Sequence, residues 1–117
     1  MNELLHVGLD VGSTTVKIVV MNDNKNTIYS DYRRHFSDTK KTVCDVLEEL
    51  LLKYPSSSFT VALTGSGAMS SAKFLGVDFI QEVVSCKRVI EKYYPKTDVV
   101  IELGGEDAKI IYFDNSI

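Results

Sequence analysis

The sequence predicts an α/β protein built on a mixed sheet, with three antiparallel strands first and parallel strands alternating with helices after them. Three observations predict it. Residues 4–36 alternate between apolar and polar positions and are broken only by short turns. Thr39–Lys53 carries a single helical stripe. Beyond it, short β-branched runs at 58–64 and 99–103 alternate with helical segments, as parallel strands do.

Each element has its reason. Leu4–Asp10 has a strand pattern, and Thr15–Met21 places Val16, Ile18 and Val20 on one face. Asn22-Asp23-Asn24-Lys25-Asn26 is a polar turn. Thr27–Phe36 follows as a third strand, whose mixed polarity suits a sheet edge. Short turns join these three strands, so they form an antiparallel meander. Asp38 or Ser37 can cap the next helix. In it Val43, Val46, Leu47, Leu50 and Leu51 make one continuous stripe, and Tyr54-Pro55 ends it.

Ser58–Thr64 reads as a buried parallel strand and Thr64-Gly65-Ser66-Gly67 as a loop. Ser70–Leu75 is a short helix stopped by Gly76, and Val77–Gln81 a short strand. Val83–Tyr94 is a helix with Cys86, Val89, Ile90 and Tyr93 on one stripe. Val99–Leu103 and Ala108–Phe113 are two apolar strands around a Gly-Gly turn. This order is that of a ribonuclease-H-like mixed sheet. A plain doubly wound fold needs a helix after the first strand, where there is room only for a tight turn.

Composition narrows the function. The 117 residues suffice for one modest domain. The net charge is −3 and the basic residues are scattered, which argues against nucleic-acid or anionic-membrane binding. No apolar run approaches the ~18 residues of a membrane span. The start, MNELLHVGLD, lacks the apolar core of a signal peptide, so the chain reads as cytoplasmic. Cys44 and Cys86 have no partner at metal-site spacing and read as free thiols.

An internal echo carries the chemistry. Asp10-Val11-Gly12-Ser13-Thr14-Thr15-Val16-Lys17-Ile18 and Glu102-Leu103-Gly104-Gly105-Glu106-Asp107-Ala108-Lys109-Ile110 share acid, any residue, Gly, four residues, Lys, Ile. Each acid ends an apolar strand. A glycine there lets backbone amides approach an anion. Ser13, Thr14 and Thr15 add neutral donors for phosphate oxygens. Asp10 and Glu102 are candidate ligands for a magnesium ion carried by a nucleotide, because Mg²⁺ takes carboxylates, phosphates and water. The alternative for each acid is an ion pair with the lysine of its own hairpin, Lys17 or Lys109. Facing each other, the two hairpins would grip a polyphosphate. The turn is neither a Walker A loop nor a dinucleotide fingerprint, since GxxxxGK[ST] and GxGxxG are both absent.

Gly8–Lys17 resembles the first phosphate motif of the actin, heat-shock ATPase and sugar-kinase superfamily. Glu102–Lys109 resembles the second phosphate motif of one branch, the BadF/BadG/BcrA/BcrD-type ATPases. Ala62–Gly67 and Phe79-Ile80-Gln81-Glu82-Val83 are similar to that branch's Thr-Gly loop and its glutamate-bearing strand. The resemblance implies an actin-like ATPase domain that binds ATP and Mg²⁺. It implies phosphate or metal contacts from Asp10, Gly12, Ser13 and Thr14; Thr15 and Lys17 of the same hairpin are further candidate nucleotide contacts. Gly104, Gly105, Glu106 and Asp107 would form the opposing phosphate loop, with Glu106 and Asp107 as candidate catalytic residues and Lys109 as a further candidate nucleotide contact.

The family further implies a homodimer sharing a four-iron four-sulfur cluster in the full-length protein. ATP hydrolysis there drives an electron into a 2-hydroxyacyl-CoA dehydratase or benzoyl-CoA reductase component. Two positions depart from the family pattern: Glu102 stands where aspartate is usual, and Glu106 where glutamine is usual. Cys44 and Cys86 do not match the cluster ligands. Residues 1–96 read as a first subdomain and 97–117 as the opening hairpin of a truncated second one, which implies weak or no nucleotide binding by this chain alone. Such a hairpin is marginal by itself and is expected to add to a sheet edge, its own or that of a strand-swapped neighbour. Two other readings are a sugar- or acid-kinase-like phosphotransferase and a non-catalytic nucleotide-sensing domain of a larger protein.

Overall fold

The computed structural model describes residues 3–104 and 108–113. Strands β1 (Leu4–Val11), β2 (Thr15–Met21), β3 (Thr27–Arg34), β4 (Ser58–Thr64) and β5 (Asp78–Phe79) form one sheet in the order β3-β2-β1-β4-β5. The first three are antiparallel; β4 pairs parallel to β1, and β5 parallel to β4. The tight β1–β2 and β2–β3 turns force the antiparallel half. Helix α1 (Thr39–Lys53) makes the crossover that lets β4 return parallel to β1.

Side chains alternate across β1, and the alternation divides labour. Leu5, Val7, Leu9 and Val11 are buried, joined by Val16, Ile18 and Val20 of β2 and Leu63 of β4. Against this face pack Val43, Val46 and Leu50 of α1 and Ala68 and Ala72 of α2 (Ala68–Leu75). The other face of β1 carries His6, Gly8 and Asp10.

Several boundaries differ from expectation. The third strand ends at Arg34 rather than Phe36, because Phe36 (φ 49°) and Ser37 (φ 65°) turn in the left-handed region. Asp38 occupies the N-cap position of α1, yet its side chain makes no capping hydrogen bond. The α1 stripe stops short of Leu51, which is 54% exposed. Helix α2 starts two residues earlier than expected and ends on Gly76 in the left-handed conformation. Helix α3 (Glu82–Tyr93) buries no residue fully: Cys86 and Ile90 are half-buried, and Val89 and Tyr93 are exposed.

Strands β6 (Val99–Leu103) and β7 (Ala108–Tyr112) form a separate antiparallel two-stranded sheet. Among the described residues they pair only with each other, so the expected addition to the main sheet's edge does not occur. Val99, Ile101, Leu103, Ile110 and Tyr112 are exposed, while Glu102, Lys109 and Ile111 face inward.

Candidate functional site

Asp10 is set by β1 near its C-terminal end, opposite Lys17 on β2 and beside Thr64 on parallel β4. The turn between β1 and β2 closes with the Gly12 N–H donating to the Thr15 carbonyl at 2.9 Å. Lys17 Nζ lies 3.8 Å from Asp10 Oδ2, and both side chains are about half exposed. The pair is loose and solvent-screened. Burial pushes the Asp10 carboxyl above its ordinary pKa; Lys17 opposes that shift and Glu82 adds to it. The acid at this strand tip is therefore under-compensated by the protein.

The loop after β4 braces the turn from below. Gly65 has φ +109°, and a Cβ there would fall 2.2 Å from the Val11 carbonyl oxygen and 2.7 Å from Asp10 Oδ1. Only glycine fits against the carboxylate. The Gly67 N–H donates to the Val11 carbonyl at 2.8 Å.

His35, just past β3, braces the turn from the side. Its Nε2–H donates to the Gly12 carbonyl at 3.0 Å, and its backbone N–H donates to the Thr14 carbonyl at 3.1 Å.

A polar cleft of about 100 Å³ is lined by both hairpins. The first contributes Asp10, Gly12, Ser13, Thr14, Thr15 and Lys17, and the second contributes Glu102, Leu103, Gly104 and Lys109. Ser66 and Glu82 complete the lining among the described residues. The space is on the scale of phosphate groups rather than of a whole nucleotide. A larger apolar cavity of about 400 Å³ adjoins it along Gly8, Val19 and Ala62. That cavity is not lined by the Gly12–Thr15 turn. Gly105, Glu106 and Asp107 lie outside the described residues.

Lys109 does not simply neutralise its cross-strand neighbour Glu102. Its Nζ lies 2.9 Å from Glu82 Oε2. The cleft thus holds the carboxylates of Asp10, Glu82 and Glu102 and the ammonium groups of Lys17 and Lys109. Among the described residues no three His, Cys, Asp or Glu side chains are grouped to hold a metal by themselves. Mg²⁺ does not require such a cage: it binds through one or two carboxylates plus substrate phosphates and water. The donor set at Asp10 and Glu102 fits that mode. Cys44 and Cys86 are free, on different helices.

Three of these residues carry no site signal of their own in the sequence. Ser66 and Glu82 sit in segments that resemble the family but carry no spacing signal of their own. His35 looked like the end of a strand.

Residues 7–117 match the sequence model of the BadF/BadG/BcrA/BcrD ATPase family. The chain is 29% identical over 113 residues to the (R)-2-hydroxyglutaryl-CoA dehydratase activating ATPase of Acidaminococcus fermentans, covering 93% of this chain and 42% of that protein. It is 30% identical over 114 residues to the 2-hydroxyisocaproyl-CoA dehydratase activator of Clostridioides difficile, covering 94% and 41%. The solved structure of the activator of the 2-hydroxyisocaproyl-CoA dehydratase from Clostridium difficile with bound ADPNP superposes with a TM-score of 0.74 at 27% identity, over 95% of this chain and 41% of that one. The chain therefore spans less than half the length of these relatives. The fold is that of the actin-like ATPases, and the chain belongs to the BadF/BadG/BcrA/BcrD ATPase family.

Proposed function

We propose that the two hairpins are the jaws of a phosphate clamp for Mg·ATP. On this reading the chain is the N-terminal part of an ATPase that activates a 2-hydroxyacyl-CoA dehydratase or benzoyl-CoA reductase by ATP-driven electron transfer. The observation that carries the reading is the cleft itself, in which an acid–glycine turn from each hairpin lines one phosphate-sized space. Its charge adds support. Among the described residues three carboxylates stand against two ammonium groups, which disfavours a bare polyphosphate and suits a nucleotide bringing its own divalent cation. Two of the relatives are dehydratase activators, and one of these was solved with bound ADPNP.

Within this reading the roles divide. Ser13, Thr14 and Thr15 cradle phosphate oxygens through amides and hydroxyls, Gly12 gives them close approach, and Gly104 faces them from the second hairpin, with Gly105 a further candidate. Lys17 and Lys109 supply positive charge. Asp10 and Glu102 would hold Mg²⁺, which when bound neutralises developing charge on the phosphates. Glu106 and Asp107 are the candidate carboxylates for orienting attacking water. Residues 97–117 open a second subdomain, and the exposed apolar side of β6–β7 is the surface it would cover. The partner is the dehydratase or reductase component. The homodimer and its shared iron–sulfur cluster belong to the intact protein, whose cluster ligands lie elsewhere than Cys44 and Cys86.

The test is Mg·ATP binding and hydrolysis by the intact protein and by its Asp10→Ala variant. Wild type should bind and hydrolyse, and Asp10→Ala should lose at least tenfold in affinity, the scale of one lost charge-assisted contact. Equal affinity in the two proteins overturns the reading. The 117-residue chain alone should bind weakly or not at all, since it supplies only part of the site.

A further inference from the structure

His35 is buried, at 6% exposure, and every polar atom of its imidazole is engaged. The Ser37 N–H donates into Nδ1 at 3.1 Å. That bond makes Nδ1 the acceptor and leaves the proton on Nε2, which donates to the Gly12 carbonyl at 3.0 Å. The backbone N–H of the same residue takes the Thr14 carbonyl at 3.1 Å, and its carbonyl accepts from the Asp38 N–H at 2.8 Å. The price of the arrangement is visible next door: Phe36 and Ser37, neither of them glycine, both sit at positive φ. That strained pair delivers the Ser37 N–H to the ring.

A trans peptide unit is planar, with C=O and N–H pointing opposite ways. Holding the Gly12 carbonyl toward His35 therefore turns the Ser13 N–H away from it. Holding the Thr14 carbonyl does the same to the Thr15 N–H. Ser13, Thr14 and Thr15 line the cleft with Asp10 and Glu102, which His35 does not line; Ser13 and Thr14 also line a separate space with His35.

We propose that His35 is a positioning residue that presets the Ser13 and Thr15 amides toward a bound phosphate. It touches no ligand itself; it acts through the orientation of two peptide units. The inference rests on the reading of the turn as a phosphate cradle. It adds that the cradle is held from behind by a neutral imidazole of defined tautomer.

The test measures Mg·ATP and adenosine affinities of the intact protein in wild type, His35→Leu, His35→Gln and His35→Asn. The leucine variant frees both amides and should bind Mg·ATP about tenfold or more weakly, the scale of a charge-assisted hydrogen bond. Its adenosine affinity should stay within about twofold, a difference of a few tenths of a kcal/mol. Glutamine places an amide N–H near the Nε2 position and should restore most of the Mg·ATP affinity. Asparagine can accept from Ser37 but is too short to reach Gly12, and should resemble leucine. If leucine fails to fold, the glutamine–asparagine contrast decides. Equal Mg·ATP affinity in wild type and His35→Leu, equal loss of both ligands, or asparagine outperforming glutamine overturns the positioning role and leaves the cradle intact. A wild-type protein that fails to bind Mg·ATP overturns the cradle, and the positioning role with it.

Discussion

Lys109 Nζ on β7 lies 2.9 Å from Glu82 Oε2 in the first turn of α3. This ion pair ties the two-stranded sheet to the helix that flanks the cleft. Both side chains are largely shielded from solvent, so the pair is worth more than an ordinary surface bridge. Glu82→Gln should lower the local stability of β6 and β7 by about 1 kcal/mol, roughly a fivefold faster amide exchange. Exchange in α1 should not change. Hydrogen-exchange mass spectrometry reads both.

Asp10→Asn should stabilise the fold while abolishing its use. Burial raises the folded-state pKa of Asp10. A carboxyl raised on folding contributes stability fully below its unfolded pKa, and loses it as pH rises through the folded value. At neutral pH the ionised Asp10 is therefore a liability to folding. The asparagine variant should melt above wild type at pH 7, and the gap should close as pH falls toward about 4. Melting curves across pH check the sign.

Two glycines at positive φ separate conformational cost from collision. A Cβ at Gly76 meets nothing within 4 Å, whereas one at Gly65 meets the Val11 carbonyl at 2.2 Å. Gly76→Ala should cost about 1 kcal/mol, from left-handed backbone alone. Gly65→Ala should cost about 3 kcal/mol or more, because backbone must move. Urea denaturation of the two variants makes the comparison.

Leu50 and Leu52 lie two residues apart on α1, the first 2% and the second 82% exposed. Leu50→Ala should cost about 2–5 kcal/mol, whereas Leu52→Ala should stay within about 0.5 kcal/mol of wild type. The same denaturation measurement applies.

Local pattern revealed local structure. Alternation in β1 and β2 and the stripe on α1 placed those elements, because one face of each is buried and the periods differ. The paired acid–glycine turns were legible because they repeat. What pattern could not show was distance-dependent. His35 reaches Gly12 across 23 residues of sequence, and nothing in YRRHFSD signals a turn where neither Phe36 nor Ser37 is glycine. Gly65 looked like ordinary loop chemistry until parallel pairing of β1 and β4 put it against Asp10. The α3 stripe was visible, but amphipathicity does not say how deeply a helix packs, and this one stays shallow.

Along β1, neighbours answer to different masters: Leu9 and Val11 to the interior, Asp10 to the cleft. Inserting or deleting a single residue upstream would exchange the two sets, forcing a carboxylate into the hydrocarbon and leucine into the water. A length change in this strand would therefore damage core and cleft together, whereas a side-chain exchange touches only one of them. Saturation mutagenesis here should read like a zipper, with odd-numbered positions failing by loss of soluble protein and Asp10 failing by loss of turnover at undiminished abundance.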